Sequence, residues 1–382
     1  MFIMVHTKIY TKILRPIFFK FDPEFVHDLI TEVGDLLGKT PLLKDMLDFW
    51  FNYQHPMLVQ DIKGIRFNNP VGLAAGFDKD ARLMNILPHV GFGHQEIGSV
   101  TAKPCKGNKK PRMWRLPRYK SIVVYYGLKN PGCQAIAKKL YGKKFKLTLG
   151  ISIAKTNCKE TADLNVGIED YYKSFRLLEP FGDYFTINIS CPNAFGGLPF
   201  TDKKSFNELL TKLETVHTDK PIFIKMSPDL TDKELNDIIK VCDSHRVDGF
   251  VISNLSKKRE DLNIPEKEFK AEFSKVGPGG LSGNLVRRKS IDMINKVYTK
   301  TEGRYIIMGV GGIFSAKDAY EMIKSGASLV QLITGMIYEG PGVIEEINRG
   351  LVKLLKKEGY NSLSEAIGAY HKTKKVTRNK IN

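Results

Sequence analysis

Two lysines lie in or directly after short apolar runs of the sequence, where a buried cation needs a partner. Lys79 follows the run that begins at Val71, and Lys225 lies within the run that begins at Pro221. A lysine in a packed core is costly without a counter-charge, so an anionic ligand explains these positions better than core packing does. The two lysines therefore predict a site for a negatively charged small molecule.

A third apolar run ends in the segment from Asn188 to Asn193, which contains two amides, a hydroxyl and the thiol of Cys191 beside a proline. Amides present a donor and an acceptor together, and they suit a planar ligand with carbonyl and N–H edges. Cys191 is either a small buried apolar residue, the usual fate of a free cysteine, or a base or nucleophile. Its place beside two asparagines favours the base or nucleophile.

Three segments contain closely spaced glycines, and two of them follow the seventh and eighth apolar runs. They are Gly279 to Gly283, Gly309 to Gly312 and the pair Thr334-Gly335. Such turns supply neighbouring backbone N–H groups at helix starts, which is how many barrel enzymes bind a phosphate. Three clusters indicate a phosphate site more strongly than one, with tight turns alone as the alternative.

Eight short apolar and β-branched runs carry these candidates and predict β-strands. They begin at Val71, Gln95, Leu147, Tyr184, Pro221, Asp248, Tyr305 and Ser328. Amphipathic segments lie between several of them, and two of these open with the N-cap candidates Thr231 and Ser315. Eight strand–helix alternations over about 270 residues are typical of an α/β chain folded as a (β/α)8 TIM barrel, whose chemistry sits at the C-terminal strand ends. A doubly wound open sheet is the alternative.

Residues 1–60 do not belong to this alternation and are predicted to form a small N-terminal helical extension. Asp22-Pro23 is a helix start, and a second stripe runs from Leu42 to Phe51. The first apolar stripe consists of Phe25, Val26, Leu29, Ile30, Val33, Leu36 and Leu37. These helices either pack on the barrel or present an apolar face to lipid, and the nearby basic residues Lys8, Lys12, Arg15 and Lys20 give the lipid alternative the same weight as the packed one. We expect the barrel to span residues 61–372 and a basic tail to occupy 373–382.

Length and composition restrict the function classes. With 382 residues, 42% of them apolar, the chain is too rich in core-forming residues to be disordered. The net charge of 59 − 41 = +18 suits nucleic acid, an anionic membrane or an anionic small molecule, but no nucleic-acid recognition motif appears. The five cysteines form no C-x-x-C pair, so neither disulfides nor a metal site is predicted.

Collinear motifs along nearly the whole chain resemble the dihydroorotate dehydrogenases. They are AAGFDKD, IGSVTAKPCKGNKKPRMWRL, YYGLKNPG, NISCPN, IKMSPDLTDKEL, GGLSGNLVRRKS, GVGGIFSAKDAYEMIKSGASLVQLITGMIYEGP and AIGAYH. The segment LRPIFFKFDPEFVHDLI is similar to the membrane-associating extension of the quinone-dependent class 2 enzymes. The resemblance implies FMN in the barrel and oxidation of (S)-dihydroorotate to orotate in pyrimidine (UMP) biosynthesis. It further implies a quinone as electron acceptor, a monomer, and peripheral attachment to the cytoplasmic face of the inner membrane.

The resemblance also implies roles for individual residues by motif. Substrate would be bound by Lys79, Asn188, Asn193 and Asn254. Flavin would be bound by Ala75, Gly76, Lys79, Ser99, Ser152, Asn188, Lys225 and Ser253, with its phosphate at Gly283, Gly311, Gly312, Thr334 and Gly335. Arg115 resembles the arginine at the quinone tunnel.

In the implied reaction a base removes the C5 proton while C6 passes a hydride to flavin N5, with base and flavin on opposite faces of the ring. Cys191 occupies the position of the base, where class 2 enzymes have serine and the soluble class 1 enzymes have cysteine. A thiol has a pKa closer to neutrality than a hydroxyl, so the exchange preserves the role and shifts its pH dependence.

Four positions depart from the polar contacts of the family. Val124 and Leu255 replace an asparagine and a hydroxyl residue, while Ser152 and Ile333 replace an asparagine and a tyrosine. Polar groups left unpaired on one edge of dihydroorotate would weaken its binding.

Two hypotheses for the function follow: a quinone-linked dihydroorotate dehydrogenase with a variant pocket, or an FMN paralogue that acts on another cyclic or conjugated, more apolar substrate. A non-catalytic barrel that binds a phosphate ligand or nucleic acid is a third, weaker hypothesis.

Overall fold

The computed structural model describes residues 5–262 and 264–372, and its centre is a closed barrel of eight parallel strands. In chain order the strands are β1 (Gln60–Ile62), β2 (Ile65–Phe67), β3 (Val71–Leu73), β4 (His94–Val100), β5 (Met113–Leu116), β6 (Ser121–Val124), β7 (Thr148–Ile153), β8 (Tyr184–Asn188), β9 (Ile222–Met226), β10 (Gly249–Ile252), β11 (Gly280–Gly283), β12 (Ile306–Val310) and β13 (Leu329–Leu332). The barrel contains β3, β4, β7, β8, β9, β10, β12 and β13 in that order, and β13 pairs with β3 to close it. All eight predicted strands form, so the (β/α)8 prediction is confirmed. The predicted tail, 373–382, lies outside the described residues.

Helices surround the barrel on its outer side and extend it at the N-terminus. In chain order they are α1 (Val5–Ile9), α2 (Arg15–Phe18), α3 (Pro23–Gly38), α4 (Pro41–Phe51), α5 (Cys133–Leu140), α6 (Leu164–Leu178), α7 (Lys203–Leu213), α8 (Asp232–Cys242), α9 (Glu266–Phe273), α10 (Arg287–Lys300), α11 (Ala316–Ser325), α12 (Thr334–Glu339), α13 (Val343–Lys357) and α14 (Leu363–Ala366). The predicted caps are present. Thr231 forms a capping box with Glu234 at α8, and the side chain of Ser315 caps α11.

A layer of large side chains fills the lower half of the barrel. Tyr184, Phe223 and Met308 are buried there against Phe67 of the β1–β2 hairpin, which covers the N-terminal end. Strand residues two positions further along point inward one layer higher. Lys225, two residues after Phe223, and Asn188, four residues after Tyr184, therefore point inward at the C-terminal mouth of the barrel, at the opposite end from the hairpin.

A three-stranded antiparallel sheet, in the order β11-β6-β5, stands beside the mouth of the barrel. Sequence reasoning missed this sheet and treated Gly279 to Gly283 as a turn at a helix start. That interpretation was wrong for Gly280–Gly283, which pairs in register with Ser121–Val124. A side chain at Gly280 would come within 2.4 Å of Leu255, so this strand needs glycine to approach the loop after β10.

Helix α3 turns much of its predicted apolar stripe away from the barrel. Phe25 and Leu36 are 56% and 66% exposed, whereas Glu24 and Thr31 on the opposite face are buried. Glu24 accepts hydrogen bonds of 2.9 and 2.6 Å from Arg112, which satisfies its charge at the buried contact. Phe25 and Leu36 therefore do not pack on the barrel, whereas Leu37 of the same stripe does.

Exposed apolar side chains are concentrated in the N-terminal helices. They include Ile13, Ile17, Leu42, Met46 and Phe49, the last of which is 87% exposed. Such a concentration marks an interaction surface rather than scattered apolar residues. Among the described residues, none of the helices combines the length and the apolar character that crossing a bilayer requires.

Candidate active site

A cavity of about 440 Å³ opens at the C-terminal ends of the barrel strands and continues beneath the N-terminal helices. At the barrel end its wall includes Lys79, Asn188, Cys191, Lys225 and Asn254. Its volume falls within the usual range of small-molecule sites. One cavity therefore joins the predicted substrate residues to the extension.

Lys79 lies in the loop after β3 and meets two aromatic groups. Its Nζ is 3.0 Å from Nε2 of His27 on α3 and 4.2 Å from the ring centre of Tyr126. Burial, together with the nearby charge of Lys129, lowers the pKa of Lys79 to about 8. The ammonium form still predominates at neutral pH and can pair with an anion.

Lys225 projects from β9 into the mouth of the barrel and is 4% exposed. Among residues 5–262 and 264–372, no hydrogen-bond or ion-pair partner reaches its Nζ. Burial lowers the pKa of Lys225, and the charge of Glu96 partly opposes that change. A buried lysine without a protein partner is stabilised when a ligand supplies a hydrogen-bond acceptor or an anion.

The amides of Asn188 and Asn254 are joined through the loop that follows β8. Asn188 donates to Oγ of Ser99 at 2.8 Å, and Asn254 donates to the carbonyl of Ser190 at 3.0 Å. Ser152 does not line the cavity but contacts Ser99 from behind, with 2.8 Å between their hydroxyl oxygens. The structure thus brings these predicted residues together, with Ser152 in a supporting position.

Asn193 has one satisfied and one free side-chain atom. Its Nδ2 donates to the carbonyl of Val124 at 2.9 Å, while its buried Oδ1 has no partner among the described residues. Because the backbone carbonyl fixes the orientation of the amide, Oδ1 can only act as an acceptor. It is available to a ligand N–H group.

Cys191 lies in the wall of the same cavity and not in the packed interior. Burial raises the pKa of its thiol, and a hydrogen bond from the Asn193 backbone opposes the rise. The positive charges of Lys257, Lys225 and Lys155 oppose it as well. The thiol is therefore protonated at neutral pH and becomes a base as the pH rises.

The glycines predicted to bind a phosphate lie close to one another but do not line the cavity, although the neighbouring Ser282 and Ile333 do. A side chain at Gly312 would lie 3.0 Å from the carbonyl of Gly283, and one at Gly283 would lie 2.9 Å from Thr334. Gly311 and Gly312 have φ values of +120° and +72°, which favour glycine. Gly335 follows Thr334 at the start of α12, where a side chain would collide with the carbonyl of Ile313. Ser253, predicted to contact the flavin, is buried with its hydroxyl 2.8 Å from that of Ser290.

The outer arm of the cavity runs between α3, β5 and α12. Arg115 lines it, donates to the carbonyl of Phe21 at 2.8 Å and lies 4.6 Å from the ring centre of Phe19. Most other residues of this arm are apolar, among them Leu14, Val26, Ile30 and Met336. The arm suits a long apolar ligand that carries a polar group near Arg115.

The substituted positions also face the cavity. Val124, Leu255 and Ile333 all line it, so one side of the site is apolar where the resemblance implied polar contacts. Sequence reasoning missed His27, which enters from a distant helix. The one signal available was the expected burial of Lys79, whose charge requires a partner.

A parallel barrel with its cavity at the C-terminal strand ends defines the class of TIM-barrel enzymes. Comparisons with known proteins then specify the family. The sequence model described as dihydroorotate dehydrogenase matches residues 57–355, and this chain belongs to that family, whose members are flavin-dependent.

Individual relatives are similar over most of their length. Dihydroorotate dehydrogenase (quinone) of Roseiflexus sp. is 35% identical over 362 residues, covering 93% of this chain and 97% of the relative. The protein of the same name from Crocosphaera subtropica is 40% identical over 327 residues, covering 84% and 86%. The crystal structure of DHODH from Eimeria tenella in complex with ferulenol has a TM-score of 0.81 and 30% identity, covering 92% of this chain and 96% of that one.

Proposed function

We propose that this protein is an FMN-dependent enzyme that oxidises (S)-dihydroorotate to orotate in pyrimidine biosynthesis and passes the electrons to a quinone. The observation that carries the proposal is that one continuous cavity connects Cys191, Lys79 and Lys225 with an apolar arm under the N-terminal helices. Relatives named dihydroorotate dehydrogenase (quinone) support the same reaction.

The residues around the cavity fit FMN. Lys225 is a buried cation without a protein partner among the described residues, and Gly76, with φ of +112°, leaves the cavity floor open to a flat ring. We assign the ring to Ala75, Gly76, Ser99 and Lys225, supported by Ser152 and Ser253, and the phosphate to Gly283, Gly311, Gly312, Thr334 and Gly335. FMN supplies the two-electron acceptor when bound.

The same wall offers complementary groups for dihydroorotate. The ammonium of Lys79 pairs with the carboxylate, the free Oδ1 of Asn193 accepts from a ring N–H, and Asn188 and Asn254 complete the polar edge. Cys191 removes the C5 proton through its thiolate. The lysines around it favour that thiolate, while burial opposes it.

We assign the apolar arm and Arg115 to the quinone and the exposed faces of α1 to α4 to the membrane. A ligand in the arm lies next to those exposed apolar side chains, which gives a lipid-soluble acceptor a direct entrance. We further propose that the protein acts as a monomer attached to the cytoplasmic face of the inner membrane.

One observation favours a second candidate function. Val124 and Leu255 line the site without offering a side-chain donor or acceptor. They fit an FMN enzyme of the same family whose cyclic or conjugated substrate is more apolar on that side.

Anaerobic mixing of the oxidised holoenzyme with dihydroorotate separates the two candidates. Rapid bleaching of the flavin band is expected, followed by recovery when a short-chain ubiquinone is added. A flavin that stays oxidised, and whose spectrum orotate leaves unchanged, would overturn the proposal in favour of the second candidate.

Restoring a polar partner is expected to tighten binding if the substrate is dihydroorotate. Leu255→Thr places a hydroxyl in the cavity wall, and one added hydrogen bond lowers the dissociation constant of orotate by about threefold to tenfold. Titration of the flavin spectrum with orotate measures the change. Leu255→Val serves as the control without a hydroxyl, and equal affinities in both variants would contradict the expectation.

Filling the apolar arm is expected to slow quinone reduction selectively. Ile30 lines the arm, so Ile30→Trp overpacks it and lowers the rate of quinone reduction by about tenfold or more, while flavin reduction by dihydroorotate is unchanged. Stopped-flow measurement of each half-reaction checks this. Leu29→Trp, on the adjacent residue of α3 and outside the cavity wall, is the matched control, and equal losses in both variants would argue against a quinone in this arm.

A further inference from the structure

The contact between His27 and Lys79 joins the N-terminal extension to the barrel site. His27 lies 52 residues before Lys79 in the sequence, yet the two side-chain nitrogens are 3.0 Å apart. An ammonium group only donates, so Nε2 of His27 accepts and the proton of its neutral ring lies on Nδ1. The contact is therefore a directed hydrogen bond.

Packing fixes the imidazole in this orientation. The ring of His27 meets Phe77 edge to face at 4.8 Å and Tyr126 at 6.4 Å between centroids. Tyr126 in turn places its ring 4.2 Å from Nζ of Lys79. The ammonium is thus held from two sides, by an acceptor on α3 and by an aromatic face on the loop after β6.

We propose that His27 is a positioning residue for Lys79, so that the N-terminal extension forms part of the substrate site and not of the quinone arm alone. The inference deepens the proposed function and rests on the assignment of Lys79 to the substrate carboxylate. A lysine on a flexible stem loses rotamer freedom when it binds, and the acceptor on α3 removes part of that cost in advance.

The charges around the pair agree with this role. Burial and the charge of Lys79 keep His27 neutral by lowering its pKa to about 2, with smaller effects from Lys129, Glu24 and Arg82. Around Lys79, Lys129 opposes the ammonium, while Asp28, Glu24 and Asp78 favour it. The imidazole therefore stays an acceptor throughout the pH range in which Lys79 titrates.

The test compares His27→Leu, which removes the acceptor with little change in volume, with His27→Gln, whose side-chain oxygen can replace Nε2. Orotate is titrated into each oxidised holoenzyme, and labelling of Lys79 by acetic anhydride is followed against pH by peptide mass spectrometry. We expect His27→Leu to weaken orotate binding about tenfold. The labelling midpoint of Lys79 is expected near pH 8 in the wild type and at a lower pH in His27→Leu, because the ammonium form loses its acceptor. His27→Gln is expected to stay within about threefold of the wild type in affinity.

Thr31→Val is the control for general loosening of α3, since Thr31 is buried on the same helix and does not contact Lys79. Equal labelling midpoints in the wild type, His27→Leu and His27→Gln would overturn the inference, whatever the orotate result. A shifted midpoint in a protein whose flavin ignores orotate would uphold the contact and overturn the proposed function instead. An effect of Thr31→Val equal to that of His27→Leu would also count against a specific role.

Discussion

Replacing Cys191 by alanine is expected to slow reduction of the bound flavin by dihydroorotate by about 100- to 10,000-fold, the usual contribution of a positioned base. The thiol, the proposed base for the C5 proton, lines the cavity together with Lys79 and Lys225, and the alanine side chain cannot accept a proton. FMN content should not change, because the residues to which we assign the flavin ring and its phosphate do not include this position. Anaerobic stopped-flow spectroscopy measures the rate, and released flavin measures the content.

The pH dependence of the same step provides an independent check. Because burial raises the pKa of Cys191, the thiolate fraction at neutral pH is small, and the rate should rise with pH until it passes that raised pKa. Cys191→Ser should shift the rise to still higher pH, since a hydroxyl is less acidic than a thiol. A wild-type profile that is flat across this range, or a Cys191→Ala variant as fast as the wild type, would remove Cys191 from the role of base.

The largest effect on stability is expected for Arg112→Met. Glu24 and Arg112 are 3% and 5% exposed, and the arginine also donates to the carbonyls of Lys106 and Asn108. Removing one member of a buried ion pair leaves an uncompensated charge, so the free energy of unfolding should fall by about 3 kcal/mol. Lys129, 3.2 Å from Glu24, keeps the loss at the lower end of the range for such pairs. Urea denaturation measures the difference.

Arg118→Met is the matched control, because its ion pair with Glu268 is largely exposed and should contribute less than about 1 kcal/mol. Burial opposes ionisation of Glu24, but the hydrogen bonds from Arg112 and Lys129 outweigh it and lower its pKa from 4.5 to about 2. That stabilisation is complete above the unfolded pKa and is lost as the pH falls through about 2. The gap between wild type and Arg112→Met should therefore narrow in acid, and a constant gap would mean that Glu24 does not carry the effect.

The barrel itself could be predicted because its signals are local. Each strand is a short run bounded by polar residues or glycine, and the alternation of inward and outward side chains places Lys225 and Asn188 at one end once the strand is recognised. Helix caps such as Thr231 and Ser315 are equally local, since a side chain meets a backbone N–H three residues away. Cys191 was singled out by its place at a strand end beside two asparagines, and the structure places it in the cavity wall.

Non-local features could not be predicted in the same way. The pairing of β11 with β6 joins residues about 160 positions apart, and the glycines of β11 carry no strand signal of their own. The direction in which the stripe of α3 faces was also left open by the sequence, because the ion pair of Glu24 with Arg112 on its buried face joins residues 88 positions apart. Likewise, the fixed orientation of Asn193 depends on the carbonyl of Val124, from a different element.

The amino-acid sequence by itself determined the eight-stranded barrel, the chemical types at its mouth and the family. Tertiary structure alone decided which of those groups are already paired and which remain free for a ligand. The reason is physical: strand and helix formation depends on neighbours a few residues apart, whereas the availability of Lys225, the orientation of Asn193 and the support of Lys79 by His27 depend on contacts between distant segments.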